Sequence, residues 1–315
     1  MANPTTLRLT VQQRRMLTPS IAEFVLAPPD GAELPAFGPG AHITVETPSG
    51  AMRRYSLVND GEKPSQYVIA VKREPASRGG SRSMHEGALA GAVLQATEPA
   101  NQFELLEAPS YLLIAGGIGI TPILAMARRL RAEHKSFRLI YCTRSGDDTA
   151  YLDDIRTQFA DRAVIHHDAG DPDKVFDFWD ELVKPGAGHV YCCGPAAMME
   201  DIKGMSGHWP EGRVHFEDFN PVDVVRADDV AFSVTLADSG HVIPVPADRS
   251  ILEALRDAGV ATASSCESGT CGTCKATLVH GRVDHRDMVL EDAERQTKIM
   301  ICVSRAQEGD LVIEL

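Results

Sequence analysis

Four cysteines constrain this chain more than any other feature: Cys266, Cys271 and Cys274 in one short stretch, and Cys302 well downstream. The first three are separated by four and then two residues. In that spacing a tight loop wraps three thiolates around a metal centre and a distant segment supplies the fourth, the plant-type 2Fe–2S pattern. Gly269 and Gly272 suit such a loop, because a backbone that turns its amides toward sulfur passes through conformations that side chains obstruct. Zinc or disulfide pairing is the alternative. Zinc more often shows two short C-x-x-C pairs, and this stretch has one.

The 315 residues allow two or three domains with ample core. With 44 acidic against 31 basic residues the formal charge is −13, which argues against nucleic acid as a partner. No apolar run reaches membrane-spanning length, and Met1-Ala2-Asn3-Pro4 lacks the basic-then-apolar layout of a secretory signal. The expectation is a cytoplasmic protein with no membrane partner, and nothing in the chain demands more than a monomer. The remaining cysteines, Cys142, Cys192 and Cys193, suit a reducing compartment.

Up to about Glu104 the pattern is β-structure, with Pro28, Pro29, Pro35, Gly38, Pro39 and Gly40 punctuating the runs. A small antiparallel barrel is expected. Arg53-Arg54-Tyr55-Ser56-Leu57 ends one strand and Tyr67 to Arg73 forms the next, followed by a loop carrying Arg78-Gly79-Gly80-Ser81-Arg82-Ser83. Glycines flanked by hydroxyls and cations offer donors and positive charge to a phosphate, although either segment alone reads equally well as an ordinary strand and a plain hairpin.

From about Ala108 to Phe219 strands alternate with helices. Tyr111 to Ala115 is a buried parallel strand by its continuous apolar run. Gly116-Gly117-Ile118-Gly119-Ile120-Thr121-Pro122 follows, then a helix over 123–132. Strand, glycine turn and helix start is the geometry that brings a pyrophosphate to helix amides, although Pro122 stands where a third glycine would be and such a turn also serves packing. Phe137 to Cys142 and His189 to Cys193 are further strands of the sheet. The second leads into Gly194-Pro195, with Met198 one turn into the next helix. Arg144, after Thr143, stands where a basic residue can pair with a 2′-phosphate, or simply be solvated. Cys192 reads as core.

Residues 220–229 are expected to be a polar linker. Beyond them, 231–236 and 241–245 form a hairpin, Ser250 caps a helix over 251–258 with Glu253 in the capping-box position, and Cys302 lies in the strand-like Ile299 to Val303. This last domain holds 13 acidic and 8 basic residues, a balance that either guides docking or keeps it soluble.

Arg53-x-Tyr55-Ser56 followed by Gly79-Gly80-Ser81 resembles the flavin barrel of the ferredoxin-reductase superfamily. Gly116 to Pro122 with Cys193-Gly194-Pro195-x-x-Met198 is similar to its paired NAD(P) motifs. With the cysteine loop and His285-Arg286-Asp287-Met288-Val289-Leu290, the resemblance spans the whole chain and resembles the phthalate dioxygenase reductase family, the reductases of two-component Rieske ring-hydroxylating oxygenases and aromatic O-demethylases. Arg54 and Val58 are departures at variable positions.

The resemblance implies three domains: an FMN-binding β-barrel (1–105), a Rossmann-like parallel α/β NAD(H)-binding domain (106–226) and a β-grasp plant-type ferredoxin domain (227–315). It implies FMN contacts at Arg53, Tyr55, Ser56, Leu57, Ala70, Val71, Lys72, Gly80, Ser81 and Phe219. Arg53 would meet the phosphate, and Phe219 would cover the ring or, at its plainest, plug a domain junction. NAD contacts would come from Gly116, Gly117, Gly119, Thr121, Pro122, Thr143, Arg144, Cys193, Gly194, Pro195 and Met198, and cluster ligands from Cys266, Cys271, Cys274 and Cys302. Ser56, Cys193 and Phe219 would serve the hydride step, which needs no general acid or base. Nicotinamide gives two electrons as hydride and a 2Fe–2S centre accepts one at a time, so a flavin must stand between them. The implied activity is NADH-dependent reduction of a Rieske non-haem iron oxygenase acting on an aromatic carboxylate such as phthalate, or of an aromatic O-demethylase. A stand-alone flavin or quinone reductase, or a redox-sensing iron–sulfur protein, is the alternative.

Overall fold

The computed structural model describes residues 6–75, 79–219, 226, 228–264, 269, 272–287 and 289–315. The chain divides into two compact units, Met1–Phe219 and Asn220–Leu315.

The first unit begins with β1 (Thr6–Met16), β2 (Ile21–Ala27), β3 (Ala41–Glu46), β4 (Met52–Ser56), β5 (Tyr67–Lys72), α1 (Gly80–Gly87), β6 (Val93–Thr97) and the short β7 (Ala100–Asn101). The sheet runs β4-β3-β6-β1-β2-β5, with β7 beside β3, and every pairing is antiparallel. A bridge between Leu57 and Ile69, with Val58 N–H donating to Val68 O at 2.9 Å, brings the first and last strands together and closes the barrel. Side chains of β2 alternate as a strand requires. Ala22, Phe24 and Leu26 fill the barrel, whereas Ile21 and Val25 pack outward on the core of the following module.

That module consists of β8 (Tyr111–Gly116), α2 (Ile120–Ala132), β9 (Phe137–Thr143), α3 (Leu152–Phe159), β10 (Ala163–His167), α4 (Trp179–Leu182), β11 (His189–Cys193), α5 (Ala196–Ser206) and β12 (Val214–Glu217). Its sheet is parallel throughout in the order β10-β9-β8-β11-β12. Helix α2 begins earlier than the expected 123: a 3-10 turn over Gly117–Gly119 passes straight into it. Its apolar residues face one core with Val58, Val68, Ala70 and Phe103 of the barrel. Arg129 and Arg131 lie in its last turn, where the helix dipole favours cations. Arg128 Nη1 donates to Val58 O at 2.9 Å and Arg129 pairs with Glu62, which fastens the helix to the barrel.

The second unit has β13 (Phe232–Leu236), β14 (Val242–Val245), α6 (Ile251–Asp257), β15 (Lys275–Asp284), β16 (Lys298–Met300) and β17 (Arg305–Glu314). The order β14-β13-β17-β15-β16, with β13 and β17 parallel at the centre and the other pairs antiparallel, is the β-grasp arrangement. Ser250 closes a full capping box: its Oγ accepts from Glu253 N, and Glu253 Oε2 accepts from Ser250 N at 2.9 Å. Apolar residues of α6 then pack on the sheet.

Three further sequence expectations need correction. The glycine-rich segment is not a loop throughout, because α1 starts at Gly80 with Gly79 left-handed at its cap; the amphipathic Met84 and His85 draw it onto the barrel as a helix. Cys302 is not in a strand, because β16 ends at Met300 and the chain turns there. The expected linker includes Asp229, whose side chain is 7% exposed and engaged by arginines, so that residue belongs to the second unit's interior.

Candidate functional site

The flavin-type features converge on one edge of the barrel. Arg53 on β4 lies against the start of α1: a Cβ added to Gly80 would stand 2.9 Å from Arg53 Nε. Any larger residue at Gly80 would push the guanidinium away from the helix N–H groups, so glycine keeps donors and cation together. Beside them, Tyr55 OH and Ser56 Oγ are shielded from solvent and have no hydrogen-bond partner among the described residues. Burial, opposed weakly by Arg53, holds the Tyr55 phenol well above its ordinary range, so it stays protonated. Orphaned hydroxyls are costly to bury, and each is able to hydrogen-bond a polar atom of a bound planar heteroaromatic group. These residues fit a flavin. Leu57 and Val71 are buried in the barrel core and Ala70 in the core shared with the parallel-sheet module. Lys72 is exposed and paired with Glu74, Ser81 Oγ accepts from Glu74 N, and Phe219 is 39% exposed at the end of the first unit.

The glycine turn after β8 packs on the start of the segment after β11, backbone against backbone. A Cβ on Gly119 would lie 2.1 Å from Cys193 O, and one on Gly194 3.0 Å from Gly116 Cα. This explains why the two motifs occur together: each needs the other's missing side chain. Gly116 meets Pro195 and Met198 in the same way, at 2.5 and 2.9 Å. Gly117 is left-handed at φ +53°, and its carbonyl accepts from Tyr141 OH at 3.0 Å. The turn also lies against β5 of the barrel, so the nucleotide and flavin features share one place. Thr121 and Thr143 are both buried; Thr121 Oγ1 donates to Ile118 O and Thr143 Oγ1 bonds Thr149 Oγ1. What they offer a ligand is therefore backbone. Pro122 is buried at the start of α2, and Arg144 is exposed after β9.

Cys193 is 1% exposed, and burial first, with Glu217 next, pushes its thiol well above the usual range. It stays a neutral thiol. Glu217, which the sequence reading passed over, pairs with Cys193 in the β11–β12 register. Its Oε2 is shielded from solvent and unpartnered among the described residues, and burial, partly offset by Arg54, raises its carboxyl to about 8. Nothing local marks it, since only strand register brings it to Cys193.

The sign of its effect on stability follows from that shift. The carboxyl titrates near 4.5 when unfolded and near 8 when folded. Between these values the folded state holds one proton more, so stability is greatest below 4.5 and falls as pH rises toward 8, by roughly 1.4 kcal/mol per pH unit. Glu217→Gln is expected to remove this slope. Urea midpoints of the two proteins from pH 5 to 8.5 should diverge in favour of the variant as pH rises; parallel curves would refute a buried neutral carboxyl.

In the second unit, Cys274 and Cys302 are buried at 3% and 2%, and neither is disulfide-bonded. The β15–β16 pairing of Lys275 with Met300 brings them together, and Ile301 N donates to Cys274 O at 3.3 Å. Gly269 and Gly272 are both left-handed, at φ +75° and +77°. A side chain on Gly269 would also strike Val303 Cγ2 at 2.8 Å. Cys266 and Cys271 lie outside the described residues. Two buried unbridged cysteines beside a left-handed glycine loop fit a cluster site.

A flavin-type barrel, a parallel sheet with a nicotinamide-type glycine turn and a β-grasp module with cluster cysteines together define an iron–sulfur flavoprotein oxidoreductase. Comparisons agree. Residues 113–204 match the oxidoreductase NAD-binding domain family, and residues 234–307 the 2Fe-2S iron-sulfur cluster binding domain family. Phthalate dioxygenase reductase of Burkholderia cepacia is 50% identical over 314 residues, covering 98% of this chain and 97% of that protein. Vanillate O-demethylase oxidoreductase of Pseudomonas putida is 41% identical over 303 residues (94% and 95%). Tetrachlorobenzoquinone reductase of Sphingobium chlorophenolicum is 38% identical over 324 residues, the full length of both. A solved phthalate dioxygenase reductase structure matches with a TM-score of 0.86 at 49% identity over 98% of both chains. The chain belongs to the phthalate dioxygenase reductase family, and its cofactors are FMN, a 2Fe–2S cluster and NADH.

Proposed function

We propose that this protein is the NADH-oxidising reductase of a two-component aromatic oxygenase system, in the cytoplasm, with a Rieske-type oxygenase acting on an aromatic carboxylate as its electron acceptor. The observation that carries this reading is the joining of all three modules in one chain, matched end to end by a phthalate dioxygenase reductase. When bound, FMN would supply the capacity to take a hydride and give up single electrons, and a 2Fe–2S cluster would supply a one-electron carrier. The chain's residues supply position and environment. Arg53 and the α1 N-terminus at Gly80 and Ser81 hold the flavin phosphate, and Tyr55 and Ser56 hydrogen-bond the ring. Leu57, Ala70, Val71 and Lys72 present backbone to it. Gly116, Gly117, Gly119, Thr121 and Pro122 present backbone to the nucleotide, Thr143 and Arg144 flank its adenosine end, and Gly194, Pro195 and Met198 brace the turn. Cys193 abuts the nicotinamide with a neutral thiol, and Phe219 excludes water from the ring face. Cys266, Cys271, Cys274 and Cys302 ligate the cluster. We keep the division at 1–105, 106–226 and 227–315 as the working domain scheme.

Anaerobic titration with NADH, and separately NADPH, tests the proposal by visible absorbance. Bleaching of flavin and iron–sulfur bands by NADH, much faster than by NADPH, is the expected result; bleaching of neither would sink it. Cys193→Ala is expected to slow NADH-driven flavin bleaching on the order of ten- to a hundredfold with FMN content unchanged, and loss of FMN would show that Cys193 is misplaced. A second reading, direct reduction of a quinone, is favoured by the full-length likeness to tetrachlorobenzoquinone reductase. Quinone reduction that survives loss of the cluster would select it.

A further inference from the structure

The second unit buries an ion network around Asp229, Arg286 and Arg305. Arg286 and Arg305 have side chains only 3% and 2% exposed. Asp229 meets Arg286 in a two-pronged pair, accepting from Nη2 at 2.5 Å and Nη1 at 2.9 Å. Its Oδ2 also lies 3.4 Å from Arg305 Nε and accepts from Arg226 N at 2.8 Å. Asp284, 30% exposed, accepts from Arg286 Nε at 2.7 Å. Arg305 spends its other donors on backbone, the carbonyls of Val230 and Pro246 at 3.1 Å and that of Arg249, and its guanidinium lies over Phe232. The two buried cations thus face the buried carboxylate of Asp229 and the half-buried one of Asp284, which also pairs with Arg226 Nη1 at 3.3 Å. Removing one partner of such a set leaves a buried charge uncompensated.

The network borders the cluster loop on two sides. Arg305 is three residues after Cys302. Arg286 N donates to Ser304 Oγ at 3.3 Å. Asp287 beside it takes Val289 N and Leu290 N on Oδ2. Its Cα lies 3.2 Å from where a Cβ on Gly269 would stand. The segments 284–287 and 302–305 therefore flank Gly269, and both are clamped by the carboxylate of Asp229, which sits at the end of the expected linker.

We propose that Asp229 is a positioning residue for the iron–sulfur centre: acting through Arg286 and Arg305, it fixes the two segments against the cluster loop and neutralises their charge, and so sets the cluster's reduction potential. The proposal rests on the assignment of Cys274 and Cys302 to a 2Fe–2S cluster. Cluster potential responds to nearby net charge and to the residues that orient its ligands. Loss of the Asp229 charge leaves a net positive charge beside the centre and favours its reduced form.

The test is redox titration of the intact holoprotein, followed by visible absorbance and by the spectrum of the reduced centre, for three variants. Asp229→Asn is expected to raise the reduced-to-oxidised ratio at fixed potential about tenfold, a shift of about 59 mV. Asp229→Glu keeps the charge and should titrate like the natural protein even if less stable. Asp229→Asn combined with Arg305→Met removes one cation with the anion, and should bring the titration back toward its natural position. That double variant also provides the reading if the single variant fails to hold its cluster. An unchanged potential in Asp229→Asn, or a double variant that titrates no nearer the natural protein than the single one, would overturn the proposal. Absence of iron–sulfur bands in the natural protein would instead remove the cluster assignment beneath it.

Discussion

The Cys302→Ala variant is expected to lose its iron–sulfur absorbance and to reduce a protein acceptor on the order of a hundredfold more slowly or worse, while its flavin bands and their bleaching by NADH remain. Cys302 is buried in the turn that the β15–β16 pairing brings alongside Cys274, and alanine supplies no replacement ligand. The core around it is built from residues 232–313, whereas the cores holding the flavin and nucleotide features are built from residues 9–202. Damage at Cys302 therefore stays in its own module. Iron content, the visible spectrum and stopped-flow bleaching by NADH check this together. A variant that retains its cluster spectrum would remove Cys302 from the ligand set, and one that loses NADH-driven flavin bleaching would contradict the separation of the cores.

Gly119→Ala carries the second large effect. Its Cβ would stand 2.1 Å from Cys193 O and 2.5 Å from Cys193 C. Both are backbone atoms at the end of a buried parallel strand, so neither can swing aside as a side chain would. Forced overpacking costs about 1–3 kcal/mol, and a displacement of about 1 Å at a hydride-transfer site costs about a hundredfold in rate. The expected outcome is NADH-driven flavin bleaching slowed about a hundredfold, with a lowered unfolding midpoint and both prosthetic groups retained. Gly91→Ala, in the turn between α1 and β6 and away from the nucleotide segment, is the control. That position is left-handed, but a Cβ there meets nothing within 4 Å, so it should cost only about 1–2 kcal/mol of backbone strain. Equal rates in the two variants would mean that the contact between the turns after β8 and β11 does not set the geometry of the site.

Much of the site was legible because its chemistry is carried by contiguous residues. The cysteine spacing, Arg53-x-Tyr55-Ser56, the run from Gly116 to Pro122 and the Ser250–Glu253 capping box each impose local backbone geometry within a few residues. The sequence alone therefore determined the order of the three modules, the β-grasp and parallel-sheet patterns and the positions where glycine must stand. Tertiary structure alone decided which residues face one another from distant parts of the chain. Glu217 reaches Cys193 only through the β11–β12 register. The start of α1 at Gly80 depends on Met84 and His85 packing onto the barrel. Asp229, an ordinary acidic residue at the end of a polar stretch, becomes the shared counter-ion of two arginines 57 and 76 positions away because folding buries all three together. Burial and electrostatic pairing depend on what the whole chain brings into one place, so no local pattern encodes them.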